Sequence, residues 1–268
     1  MRVENSTFVV TGGGNGIGRE VVLELLRRGA QVAAVDLSEA GLTRTIALAG
    51  DSATRLTAHA VDITDRLAVE RLPDEVGAAH GPIDGVINVA GIIHRFARLQ
   101  DLSLDEIERV MRVNFWGTVH VVKAFLPTLL SRPSAALVDV SSMGGLVPVP
   151  GQGAYGSSKA AVKLFTETLY GELHGTGVAV TVVFPGAVAT DIVTNSGLDV
   201  TGLAAAAAEK PAKTTTPADA GRRIVDAVES GAFRVLIGAD ARGLDRLGRF
   251  APRRAIDLVA GRMKTLLA

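Results

Sequence analysis

The chain is predicted to fold as a doubly wound α/β domain, a parallel sheet of about seven strands with helices on both faces. Three observations predict it. Apolar runs alternate with helix-length segments through most of the sequence, the pattern of strands joined by crossover helices. The first apolar run leads straight into a glycine-rich turn and then a helix-periodic stretch. The 268 residues contain no linker-like stretch, and that length is enough for one well-covered core.

The first strand is placed at residues 6–11, Ser6 to Thr11, and runs into Gly12-Gly13-Gly14-Asn15-Gly16-Ile17-Gly18 before helical periodicity begins at Arg19. A second apolar strand, residues 31–36, closes on Asp36, and Ser38 is placed to cap the next helix. Further strands are expected near 56–61, 84–88, 135–141, 178–184 and 233–237. Two long helices, near 104–131 and 155–174, carry more apolar surface than one sheet face needs. The stretch 191–216 is poor in pattern apart from Ala204 to Ala208, a good helix former. A catalytic unit is expected over 1–240, with 241–268 as an extension in which Ile256, Val259, Met263, Leu266 and Leu267 recur at helical spacing. Three readings of that amphipathic helix stand: packing over the site or a neighbouring subunit, a solvated surface helix, or a membrane-surface anchor.

The chemistry-bearing residues fall at the C-terminal ends of these strands, where open α/β sheets bind ligands. In the glycine turn the backbone adopts positive φ and a pyrophosphate approaches the amides of a helix N-terminus, which favour an anion. Asp36 stands eighteen residues past Gly18, near the spacing at which a carboxylate accepts hydrogen bonds from an adenosine ribose. The same carboxylate repels a 2′-phosphate, and neither Asn15 nor Leu37 is basic, so NAD is expected rather than NADP.

Tyr155 and Lys159 are four residues apart on a predicted helix, which puts phenol and ammonium on one face. A free phenol ionises near pH 10, so work near neutrality needs a shift of roughly three units, or about 4 kcal/mol. A unit charge about 4 Å away, at an effective dielectric of about 20, supplies roughly that amount. Lys159 is therefore expected to lower the Tyr155 pKa. Ser141 and Ser142 follow the fifth strand. Neighbouring strand side chains point to opposite faces, and the thirteen-residue spacing to Tyr155 selects Ser142.

With these motifs in order, TGxxxGxG through Thr11, Gly12, Gly16 and Gly18, then Ser142, Tyr155 and Lys159, the chain resembles the short-chain dehydrogenase/reductase family in its single-domain branch, over roughly residues 5 to 240. The resemblance implies a Rossmann-like fold and hydride transfer between NAD and a secondary alcohol or ketone. It implies that Ser142 holds the substrate oxygen, Tyr155 moves the proton, Lys159 lowers the Tyr155 pKa and binds ribose, and Asn114 links Lys159 to water. Gly12, Asn15, Gly16, Ile17, Gly18, Asp36, Leu37, Asp62, Ile63, Tyr155 and Lys159 would contact the cofactor. So would Asn88, Ala90 and Gly91, similar to the family's NNAG motif, from which Val89 departs, together with Pro185, Gly186, Val188 and Thr190. The stretch 191–216 sits where the family has a substrate lid, and the two long helices match those that pair between subunits, implying a homotetramer or homodimer.

Ile93, Met143, Val147, Val149 and Ala187 are expected to wall an apolar pocket, with His94 and Gln152 as polar contacts, which suits a steroid, terpenoid or lipid-like substrate. An NAD-binding regulator or scaffold without turnover is the alternative, and it is favoured only by loss of a catalytic residue. Lys plus Arg equals Asp plus Glu at 28 each, so no overall basic field argues for nucleic acid. There is no cysteine, and the histidines show no metal-ligand spacing, so no catalytic metal is expected. The first strand begins almost at Met1 and no uncharged run reaches membrane-span length; a soluble cytoplasmic protein is the expectation.

Overall fold

Continuous apolar runs make strands that can be buried on both faces. The computed structural model, which describes residues 1–198 and 214–264, places seven of them in one parallel sheet. They are β1 Thr7–Thr11, β2 Gln31–Asp36, β3 Leu56–Ala60, β4 Gly85–Asn88, β5 Ala135–Val140, β6 Val178–Pro185 and β7 Arg234–Ile237. The order is β3-β2-β1-β4-β5-β6-β7. The winding reverses between β1 and β4, and at such a switch point the loops part to leave a crevice at the carboxyl ends of the strands.

Neighbouring residues of a strand serve opposite faces, and β1 shows it: Val10 packs on one side and Val9 on the other. The Val10 side is covered by α1 Gly16–Arg27, α2 Glu39–Ala49 and α8 Pro217–Ser230, through Val22, Leu25, Leu42, Ile224 and Val228. The Val9 side is covered by α3 Arg66–His80, α5 Thr118–Leu130 and α6 Gly153–Glu172, through Leu72, Phe125, Leu129 and Leu169. Each large apolar side chain so buried contributes about 1.5–3 kcal/mol.

The single helix expected over 104–131 is interrupted. It runs as α4 Leu104–Met111, a π-helical stretch Arg112–Gly117, then α5. A π turn takes in an extra residue, and here that turn carries Asn114. Its side chain is anchored on both backbone atoms of Ile92, accepting from the amide at 2.8 Å and donating to the carbonyl at 3.0 Å. Apolar periodicity has no signature for this, because the residues on either side of the turn keep their inward faces.

The tail also differs from expectation. The helix expected from Ile256 to Met263 is present as α10 Pro252–Met263, and a further helix that was not singled out, α9 Ala239–Phe250, precedes it, the two separated at Pro252. Val259 is buried and Met263 packs with it against Val147, whereas Ile256 is 41% exposed and so falls off the expected stripe. Leu266, Leu267 and Ala204 to Ala208 lie outside the described residues.

Candidate active site

At the crevice, Thr11, Asn88 and Asp139 stand abreast in the sheet register. The Thr11 hydroxyl donates to Asn88 Oδ1 at 3.4 Å, and Asn88 Nδ2 donates to Asp139 Oδ1 at 2.8 Å. Thr166 Oγ1 of α6 donates to Asp139 Oδ2 at 2.9 Å. The row therefore ties the strand that enters the glycine turn to the strand that ends at Ser142 and to the helix that carries Tyr155 and Lys159. Val89, the departure from NNAG, packs on the core and donates its amide to Thr11 Oγ1 at 3.1 Å.

The glycine turn opens a cleft of about 620 Å³. Gly12 has φ +72°, and a Cβ there would press on the backbone of Ala90; a Cβ on Gly18 would collide with the Gly12 carbonyl. Side-chain-free approach of this kind is what a pyrophosphate requires, and α1 begins at Gly16 with no side chain capping its first amides. Asp36 is held in place at the cleft wall, its two oxygens accepting from the Gly14 and Ser38 amides at 2.9 Å each. Asn15, Ile17, Leu37, Asp62, Ile63, Ala90, Gly91 and Thr190 line the same cleft. These residues fit a dinucleotide: amides for phosphates, a carboxylate for ribose hydroxyls, and Ile63 with Val61 as an apolar seat for a base.

Asn88, Tyr155, Lys159, Pro185, Gly186 and Val188 are not part of that lining. Asn88 acts inside the row, and Pro185 and Gly186 continue β6 beside β7, with the Gly186 amide donating to Ile237 at 2.8 Å. Val188 forms a bridge with Thr215. The cleft meets Lys159 and Asn114 at Gly91, where a Cβ would lie 3.1 Å from Lys159 Nζ and 3.2 Å from Asn114 Oδ1.

Ser142 follows β5 with an extended backbone, its hydroxyl accepting from the Gly144 amide at 3.1 Å and hydrogen-bonded to the Tyr155 phenol. Ser141 is buried and donates to the Lys159 carbonyl at 2.7 Å. Tyr155 lies in the first turn of α6, and Lys159, one turn on, is buried and donates to the Val140 carbonyl at 2.9 Å.

The electrostatics differ from the sequence expectation. Burial pushes the Tyr155 phenol above its ordinary value, the Ser142 hydrogen bond opposes this, and Lys159 is not among the groups that move it. Burial pushes Lys159 down to about 8, and the nearby Asp139 carboxylate works against that. Asp139 is itself pushed up to about 6 by burial, against its bonds to Asn88 and Thr166 and the charge of Lys159. The lysine charge in the protein alone is thus spent on Asp139, a buried acid that sequence spacing did not single out. Asn114 is also held within the fold: its amide nitrogen donates to Ser158 Oγ at 2.9 Å and to Ile92, and its backbone carbonyl accepts from Thr118 Oγ1.

Of the expected substrate wall, Met143 opens a short turn after Ser142, and Val147 and Val149 carry the tail through Leu244, Leu247, Val259 and Met263. Ile93 is buried and its amide donates to Ser196 Oγ at 2.9 Å. Ser196 follows the short helix α7 Ile192–Asn195, and its carbonyl accepts from Arg109 at 2.9 Å. His94 is buried; Nδ1 donates to the Arg95 carbonyl at 2.6 Å, which leaves Nε2 an acceptor with no hydrogen-bond partner among the described residues. Gln152 Nε2 donates to the His94 carbonyl at 3.4 Å, and the Ala187 amide donates to Asp240 of α9 at 2.7 Å. Sequence reasoning missed Arg19, which bonds the Gly14 carbonyl and, at 3.0 Å, Asn15 Oδ1, and whose charge interacts with Asp36. It also missed Arg109 and Arg112, which line the cleft from one face of α4 and the π turn. The signal was their spacing of three, at the helix end nearest the NNAG-like turn.

The short chain dehydrogenase family profile matches residues 6–200. The chain belongs to that family. This short-chain dehydrogenase is 35% identical over 254 residues to an oxidoreductase, SadH, of Mycobacterium tuberculosis, the match covering 92% of this chain and 91% of that one. It is 35% identical over 251 residues to 1-deoxy-11-beta-hydroxypentalenate dehydrogenase of Streptomyces avermitilis, covering 92% of this chain and 89% of the relative. A short-chain dehydrogenase of Burkholderia phymatum solved with NAD superposes with a TM-score of 0.85, at 25% identity over 96% of each chain. Like its relatives, the protein is an oxidoreductase acting on CH–OH groups. Solved members of the family hold either NAD or NADP.

Proposed function

We propose that this short-chain dehydrogenase interconverts an apolar secondary alcohol and its ketone with NAD. The observation that carries the NAD reading is Asp36, fixed by two backbone amides so that its carboxylate faces the adenosine end of the cleft. A 2′-phosphate there would meet a negative charge. Arg19 beside Asp36 is the observation that favours the second reading, NADP. The apolar substrate class is supported by Met143 directly after Ser142, by the apolar cluster of Leu146, Val147 and Val149 that follows it, and by the terpenoid-derived name of the Streptomyces relative.

NAD, when bound, supplies the hydride acceptor or donor and, in its oxidised form, positive charge beside the phenol. The chain's own residues do the rest. Ser142 hydrogen-bonds the substrate oxygen, and Tyr155 exchanges the proton with it. A phenol raised by burial is neutral in the protein alone, ready to donate to a ketone; oxidation requires added positive charge to release that proton. Asn114 holds the Ile92 turn and Ser158, the residue before Lys159, and so positions the lysine. Exposed Trp116 and Leu164, on helices joined by the Phe115–Phe165 contact, support pairing of two copies across α5 and α6.

The test is a panel of secondary alcohols and ketones followed through reduced-cofactor absorbance, with both cofactors. Tyr155→Phe should lose on the order of a hundredfold or more in kcat while binding NAD normally. Near-wild-type turnover by that variant would refute the mechanism.

A further inference from the structure

The tail helices α9 and α10 use one side to pack on the segment after Ser142: Leu244, Leu247, Ala255 and Val259 close on Leu146, Val147 and Val149. Their other side carries basic and apolar side chains together. Along α9, Arg242, Arg246, Arg249 and Phe250 recur at spacings that put them on one outward face. Phe250 ends that helix and is 88% exposed. Along α10, Arg254, Leu258 and Arg262 repeat every four residues, and Leu258 is 42% exposed.

From Ala241 to Lys264 seven basic side chains stand against two acidic ones, in a chain whose formal charge is zero. Both acids are engaged. Asp245 is held by Arg234 at 2.6 Å and Arg249 at 3.1 Å, and Asp257 lies 4.0 Å from Arg253. Arg242, Arg246, Arg254 and Arg262 thus present their charge outward around exposed apolar groups.

We propose that this face docks on an anionic phospholipid surface, with Phe250 at the headgroup–acyl boundary and the arginines on lipid phosphates. The proposal goes beyond the oxidoreductase reading and does not depend on it. Interfacial helices combine this kind of basic collar with an apolar wedge. A second copy of the chain applied through a two-fold axis would set the arginines against themselves, where like charges repel. Duplex nucleic acid would use the arginines but give Leu258 no apolar partner. Because the same helices pack inward on Leu146 to Val149, an enzyme docked this way would hold its apolar pocket wall close to the lipid phase.

The experiment is co-sedimentation of the full chain with phosphatidylcholine vesicles, with and without one-third phosphatidylglycerol, at low and high salt. Binding to the anionic vesicles alone, weakened by salt, is the expected result. Phe250→Ser, and separately Arg246→Ser with Arg254→Ser, should each lower partitioning on the order of fivefold or more. Melting and NAD binding should be unchanged, since these side chains face solvent. The proposal is overturned if the wild type ignores anionic vesicles, if neutral vesicles bind it equally, or if both variants partition like the wild type. It is also overturned if the wild type self-associates through a contact that Phe250→Ser abolishes without binding vesicles, or prefers duplex DNA.

Discussion

Replacing Asp139 by Asn should change how stability depends on pH, by an amount set by the burial of that carboxyl. Asp139 is fully buried and its pKa rises from an ordinary 3.8 to about 6. A rise of about two units corresponds to about 3 kcal/mol. The native state holds the proton up to about pH 6, whereas the unfolded chain releases it near pH 4, so the native advantage is largest in acid and is lost as pH rises through that window. Asn keeps the shape and accepts the Asn88 bond but does not titrate. The unfolding free energy of the wild type minus that of Asp139→Asn should therefore fall by about 3 kcal/mol between roughly pH 4 and pH 6.5. Lys159 titrates near 8 and stays outside the window. Urea unfolding at fixed protein concentration, followed by circular dichroism, measures both free energies, and taking the difference cancels the other carboxylates. A difference independent of pH would refute the reasoning, and one that grows with pH would mean that Lys159 stabilises the anion more than burial opposes it.

Other perturbations test the cleft and its closure. Asp36→Ala should cost tenfold or more in kcat/KM with NAD and narrow the gap to NADP, because the carboxylate that repels a 2′-phosphate is gone while the charge of Arg19 stays; steady-state kinetics with both cofactors decide it. Gly91→Ala would set a methyl 3.1 Å from Lys159 Nζ and 3.2 Å from the anchored Asn114 amide, and should lower kcat more than tenfold together with the melting temperature, read by steady-state kinetics and thermal unfolding. Ser196→Ala removes the acceptor for the Ile93 amide, a loss of about 1–3 kcal/mol, and hydrogen exchange at Ile93 and Ser196 should speed up at least tenfold while the sheet is unaffected.

Much of this was legible because the physics is local. Strand ends lie within one residue of expectation, since continuous apolar runs and glycine or proline punctuation fix both ends. Asp36 and the turn from Gly12 to Gly18 meet in one cleft, as the strand–turn–helix spacing requires. What was not legible depends on depth and on distant partners. The i, i+4 spacing placed Tyr155 and Lys159 on one helix face, but not the buried Asp139 on β5 that takes up the lysine charge, nor the burial that raises the phenol. The π turn at Asn114 escaped because it leaves the apolar pattern intact. The apolar spacing from Ile256 to Met263 falls within α10 and gave no sign of α9 before it, and nothing in the spacing at Arg19 told that it reaches back to Gly14.

The abreast placement of Thr11, Asn88 and Asp139 makes the sheet a gauge. Two interstrand steps, each of about 4.8 Å, set how far the glycine turn stands from the strand that leads to Ser142. Insertions in the surrounding loops leave that span untouched. The loops that wall the cleft are free to change while the spacing between its two ends is kept by backbone pairing.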